Sequence, residues 1–123
     1  MAMSKVYIVQ DTKWVDPKDG QLKPKFDFSP AAEHGELVFL LGSNASPFNL
    51  APVLSELQER LKEFSDDDYL LLVGNPVLLG LATAIAADFN DGCVNMLQWS
   101  GAKHTYIPVK AQGVFADCQD EAV

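Results

Sequence analysis

Apolar positions along this chain fall into five strand-like runs and two stretches of helical spacing. Lys5-Val6-Tyr7-Ile8-Val9-Gln10 is β-branched and aromatic and reads as a first strand. Glu36-Leu37-Val38-Phe39-Leu40-Leu41 is apolar nearly throughout, which predicts a second strand covered on both faces. Tyr69-Leu70-Leu71-Leu72-Val73 is a third, ended by Gly74-Asn75-Pro76. Cys93-Val94-Asn95-Met96-Leu97-Gln98-Trp99 is a fourth, and Ser100-Gly101-Ala102-Lys103 turns it into a fifth over residues 104–109. Pro108 cannot donate to a ladder, so the last strand belongs at an edge.

The helical stretches differ in character. Leu54, Leu57, Leu61 and Phe64 recur at spacings of three and four, with Glu56, Glu59, Arg60 and Lys62 off that stripe. This predicts a sheet-covering helix opening at Pro52 and running to about Phe64. In the second, Asn75 is the expected N-cap, Pro76 takes the first helical position and Gly92 is the left-handed residue after the helix. Residues 77–87 carry no charge. Gly80, Thr83, Ala84 and Ala87 form a row of small side chains, and Leu78, Leu81 and Ile85 a larger row at another angle. A helix apolar all round is buried on more than one side, so the small row is a candidate subunit or partner interface.

The strand–helix–strand order around residues 65–108 is a βαβ crossover, the unit of a helix-covered parallel sheet. The predicted fold is α/β: a small Rossmann-like mixed sheet of about five strands, two main helices and a C-terminal β-hairpin. Residues 1–112 form one domain, and 113–123, with Asp117, Asp120 and Glu121, an acidic tail expected to be mobile. Residues 11–35 project as a long loop. Within it, Asp16-Pro17 and Asp19-Gly20 are turn signals, so Trp14-Val15 and Gln21-Leu22 are expected to pair as hairpin arms. Ser29 is the expected N-cap of a helical turn that starts at Pro30 and ends at His34-Gly35. Trp14, Phe26, Phe28 and Phe48 lie in loops, outside any core periodicity, and are candidate interface anchors.

Composition narrows the function. A chain of 123 residues with 48% hydrophobic content supports one core. No apolar run is long enough to span a bilayer and the N-terminus lacks a signal-peptide pattern, so the cytoplasm is expected and a membrane is not. A Cys93–Cys118 disulfide is not expected in that compartment. The formal net charge of −8 argues against a nucleic-acid binder, which needs a basic face. Lys13, Lys18, Lys23 and Lys25 interleave with Asp11, Asp16, Asp19 and Asp27, so their field largely cancels. The acidity also leaves open a DNA mimic that occupies a basic protein surface.

No catalytic motif stands out. Gly74-Asn75-Pro76 leads from a strand into a helix N-terminus but has no phosphate-loop or dinucleotide pattern, and Pro76 removes an amide donor. With Gly42-Ser43-Asn44 it makes a candidate ligand site (Gly42, Ser43, Asn44, Gly74, Asn75) at the carboxyl ends of parallel strands. Asp66-Asp67-Asp68 offers oxygen ligands, but adjacent side chains in extended backbone point apart, so a solvated turn held by Asp68 or Ser65 is the better reading. His34, His104, Cys93 and Cys118 have no zinc spacing. A Cys93–His104 pair across the terminal hairpin is conceivable, but a Cys in a buried strand reads first as a small apolar filler. No metal or cofactor is expected.

The run Phe64-Ser65-Asp66-Asp67-Asp68-Tyr69-Leu70-Leu71-Leu72-Val73-Gly74-Asn75-Pro76 resembles a block in small proteins encoded by tailed bacteriophages. So do Ala84-Ile85-Ala86-Ala87 with Asn90-Asp91-Gly92, and Leu97-Gln98-Trp99 with Tyr106-Ile107-Pro108-Val109. The resemblance covers residues 6–109. It implies a viral origin and a role inside an infected bacterium, and carries no activity with it; a virion role is open beside that. The resulting expectation is a non-enzymatic phage accessory protein in the host cytoplasm, binding another protein and also itself, through the small-residue helix or an edge strand. The competing expectation is a small-ligand or nucleotide-binding module.

Overall fold

The first strand lies in the middle of the sheet. The computed structural model describes residues 4–115. In it β1 (Lys5–Gln10) is followed by a small hairpin, β2 (Lys13–Val15) and β3 (Leu22–Pro24), and by a 3-10 segment, Ser29–His34. Then come β4 (Glu36–Leu41), α1 (Leu50–Leu61), β5 (Tyr69–Leu71), α2 (Pro76–Phe89), β6 (Val94–Ser100) and β7 (Thr105–Ala111). The main sheet has the order β4-β1-β5-β6-β7, parallel except for β6–β7. The mixed five-stranded sheet, the two helices and the terminal hairpin therefore form as predicted. The insertion of β1 between β4 and β5 makes β1 the point where the chain reverses its direction across the sheet.

Both helices pack on one face. Val53, Leu57 and Leu61 of α1 and Leu78, Ala82 and Ala86 of α2 close over Tyr7, Val9, Leu40, Leu70 and Val94. The opposite face carries Val6, Ile8, Leu71, Leu97 and Tyr106, met by Phe28 and Ala31 from the connection between β1 and β4. Where an α/β sheet ordinarily has a second helical layer, this chain has a 3-10 segment and an arm of coil.

Several expectations are corrected at this level. β4 is an edge strand, so its second face is not sealed and Phe39 remains 39% exposed. α1 opens at Leu50 rather than Pro52, and Val53 rather than Leu54 fills the buried stripe with Leu57 and Leu61. Phe64 is buried in the turn beyond the helix. β5 stops at Leu71, because the Val73 N–H folds back onto the Leu71 carbonyl (3.0 Å). Ser29 is not a cap: its own N–H is taken by Asp27 Oδ1 at 2.9 Å, and the 3-10 segment begins after Phe28. The hairpin arms pair as Val15 with Leu22 and Trp14 with Lys23.

Other local predictions hold. Asn75 Oδ1 accepts from the Val77 N–H at 2.9 Å, with Pro76 in the first turn. The helix stop is left-handed over two residues, Asp91 (φ 54°) and then the expected Gly92 (φ 80°), whose N–H closes onto the Ala87 carbonyl at 2.7 Å. Asp68 is buried and holds the turn before β5. It accepts from Ser65 N–H (3.0 Å), Ser65 Oγ (3.1 Å) and the Lys5 N–H (3.0 Å), which ties that turn to the start of β1. The expected acidic tail lies outside the described residues apart from its first three positions, as does Cys118.

Candidate interaction surface on the helix-free face

β6 outruns β5. Their pairing stops at Leu71 with Leu97, while β6 continues to Ser100. Beyond β5 the chain keeps to β1, the Val73 carbonyl accepting from the Gln10 N–H at 3.0 Å, and leaves the rest of β6 without a partner on that side. The gap becomes a groove of about 670 Å³, within the ~300–1,000 Å³ usual for binding clefts. Leu71, Leu97, Val73 and Val109 make it apolar, Trp99 and Tyr106 form one wall and the arm Lys25-Phe26-Asp27 the other. Trp99 meets Tyr106 edge-on with ring centroids 5.0 Å apart, and His104 stands 6.4 Å from Trp99. This aromatic pair, formed across the terminal hairpin, also lines the groove. Burial, and after it the charge of Asp27, pushes the Tyr106 phenol pKa up. The Ser29 amide holds the Asp27 carboxyl below its ordinary range, so the groove mouth carries one fixed anion beside Lys25.

A second groove of about 820 Å³ lies on the other side of the same arm. Trp14, Phe26, Phe28, Leu37 and Phe39 line it, with Lys13, Lys23 and Lys25 at its rim. Phe26, Phe28 and Phe39 form a chain of rings, with centroids 6.2 and 5.9 Å apart, that links the two grooves. Trp14 and Trp99, the only tryptophans, are each 43% exposed, one in each groove. The 3-10 segment is pinned beneath by His34, whose Nε2 lies 3.1 Å from the Tyr106 carbonyl and 3.2 Å from Glu33.

Of the four aromatic candidates, Trp14 and Phe26 thus share this surface. Phe28 is buried and acts as the wedge between arm and sheet, and Phe48 is 96% exposed in the loop before α1. On α2, Gly80 and Ala84 face outward beside Val77, and Thr83 Oγ1 bonds the Leu79 carbonyl at 2.9 Å. Ala87 is fully buried in the core, so it leaves the outward row.

The loops Gly42-Ser43-Asn44 and Gly74-Asn75 do come together, around a residue that sequence reasoning passed over. Gln10 Nε2 donates to the Gly42 and Ala45 carbonyls (3.3 and 3.4 Å), and its Oε1 accepts from the Asn75 N–H at 3.0 Å. Gly74, at φ 141°, makes room for it: a Cβ there would stand 2.6 Å from Gln10 Cβ. Gln10 therefore occupies the space at the strand-order reversal, and the Asn75 and Val77 amides are already bonded. A polar residue ending the first parallel strand opposite a glycine turn was the available signal.

The remaining chemical candidates do not converge. Cys93 precedes Val94, which pairs with Ala111, whereas His104 precedes Thr105, which pairs with Ser100. They stand at opposite ends of a seven-residue strand, about 20 Å apart at strand rise. Asp68 turns inward, and Asp66 Oδ1 accepts from Asn90 Nδ2 at 2.9 Å.

Comparison with protein families settles the origin. A model of the phage Pam3 gp32-like proteins matches residues 4–113. The chain belongs to this family. Comparison with curated proteins and with solved structures found no match. Among the described residues, the region matched to the phage Pam3 gp32-like family contains every strand, both helices and the two grooves on the helix-free face. No helix among the described residues is long and apolar enough to cross a membrane.

Proposed function

We propose that this phage protein is a non-enzymatic accessory factor that binds another protein in the cytoplasm of the infected bacterium. Its docking site is the groove between β5 and the β6–β7 hairpin. One observation supports this reading above the rest: the helix-free face presents an apolar, aromatic-walled groove where related architectures place a packed layer. Trp and Tyr walls with an apolar floor suit an inserted aliphatic or aromatic side chain, the usual anchor of a protein interface. Lys25 and Asp27 at the mouth suit polar groups on either side of that anchor. The acidic-mimic reading has less support, since Asp68 is bonded inward and Asp66 is engaged by Asn90. The nucleotide reading has less support too, since Gln10 fills the place between its two loops.

The test is affinity capture from infected-cell lysate with wild type, Trp99→Ala and Phe48→Ala in parallel, followed by protein and small-molecule mass spectrometry. A stoichiometric protein that is retained by Phe48→Ala and lost by Trp99→Ala supports the proposal. A metabolite in place of a protein, or a protein indifferent to Trp99, overturns it.

A further inference from the structure

The two edges of the main sheet are not alike. β7 carries Pro108 in its middle and Lys110 near its end, two devices that discourage a further strand. β4 has neither: its six residues are Glu36-Leu37-Val38-Phe39-Leu40-Leu41, with the one charge at the first position. The Glu36 N–H is donated inward to the Ser4 carbonyl at 2.9 Å. Backbone groups alternate along a strand, so those of Leu37 and Phe39 point to the open side. The same two side chains line the second groove, under Trp14.

We propose that two copies of this chain pair antiparallel through β4, joining their sheets into one, with Trp14 of each copy covering the join. The edge is self-complementary. A two-fold axis through Val38 sets Leu37 opposite Phe39 of the second copy, and Phe39 opposite its Leu37, so each pair exchanges its outward N–H and C=O groups. The two Phe39–Leu37 pairs then lie on the helix-free face, continuous with the aromatic chain through Phe28 and Phe26 in both copies. Glu36 of one copy falls opposite Leu40 of the other, at the end of β4 where Asp11 N–H holds the Leu41 carbonyl (2.9 Å) and Lys13 sits 3.4 Å from Asp11. Lys25 and Asp27 both line the same groove, so its rim carries both signs of charge. Over longer range two chains of net charge −8 repel, so the dimer strengthens as added salt screens them.

Sedimentation equilibrium over a concentration series tests this, at low and at physiological salt, with wild type, Phe39→Lys, Trp14→Ala and Trp99→Ala. Wild type is expected to dimerise, more tightly at higher salt. Trp99→Ala should match it, since Trp99 lies in the other groove. Phe39→Lys should be monomeric with its thermal melt retained, and Trp14→Ala should weaken the dimer at least about tenfold, because each lost ring counts twice about the axis. If Phe39→Lys fails to fold, Trp14→Ala decides alone, being on the hairpin outside the main sheet. A wild type that stays monomeric at every concentration overturns the proposal. So does a dimer that survives both substitutions, which would move the contact to the Val77–Gly80–Ala84 side of α2. Neither result bears on the Trp99 groove, so the two proposals fail separately.

Discussion

The two faces of one sheet carry different tasks. On the covered face, α1 and α2 seal Val9, Leu40, Leu70 and Val94 from water, and little of that surface is left to meet anything else. On the other face, a 3-10 segment and the Phe26–Phe28 arm cover only the centre, leaving a groove on each side. The same kinds of side chain, aliphatic and aromatic, stabilise the fold on one face and remain available on the other. The difference lies in the connection that follows each strand: helical after β4 and β5, and a hairpin with coil after β1.

Substitutions of similar chemistry should therefore separate the faces. The largest contrast is Leu57→Ala against Trp99→Ala. Leu57 is fully buried beneath α1, so its truncation should cost about 2–5 kcal/mol in urea unfolding. Trp99→Ala should cost less than about 1 kcal/mol, as expected of a half-exposed side chain, while abolishing partner capture. Gly74→Ala comes next, at roughly 1–3 kcal/mol, because its backbone angle and the Gln10 side chain both resist a Cβ. Adding Gln10→Ala to that variant should recover part of the loss, which a double-mutant cycle would measure. Asn75→Ala should cost about 1 kcal/mol as a lost helix cap and leave capture unchanged. A loss of binding there would revive the loops around Gly42 and Gly74 as a site.

The pH dependence of the covered face should be alkaline. Burial first, then the charges of Asp68, Glu63 and Glu36, raise the Tyr7 pKa above its ordinary 10.0. The folded state thus favours the neutral phenol. That contribution is complete below pH 10 and is lost as pH rises through the folded value, so stability should fall there, and Tyr7→Phe should flatten the fall in a pH-stepped melt. The smallest effect belongs to Arg60→Ala. Its pair with Glu56 lies on the exposed side of α1, so the melt should move by no more than about 0.5 kcal/mol.

The elements of the fold were largely legible because each carries a local signal. Asn75-Pro76 and Gly92 bracket α2 by capping and backbone chirality, and Pro108 marked β7 as an edge. The position of β1 was not legible, since nothing local distinguishes a central from a lateral parallel strand. For the same reason β4 read as buried: an apolar run records what a strand could bury, while the sheet order decides whether a neighbour exists to bury it. Gln10 was passed over because its partners, Gly42, Ala45 and Asn75, are 32 to 65 residues away. Trp14 and Phe26 were visible as aromatics in loops, but the grooves they line arise from the extension of β6 past β5 and from the missing helix after β1. Both are properties of the assembled sheet.

The two tryptophans allow the central claim, that the helix-free face is the working surface, to be tested in one experiment. Acrylamide quenching of tryptophan emission would be followed in Trp14→Phe, which leaves Trp99 as reporter, and in Trp99→Phe, which leaves Trp14, with captured partner added to each. The account predicts that the partner shields Trp99 in the Trp14→Phe protein. In the Trp99→Phe protein, raising protein concentration alone should shield Trp14. A partner that binds while both tryptophans stay as accessible as in the free protein would contradict it.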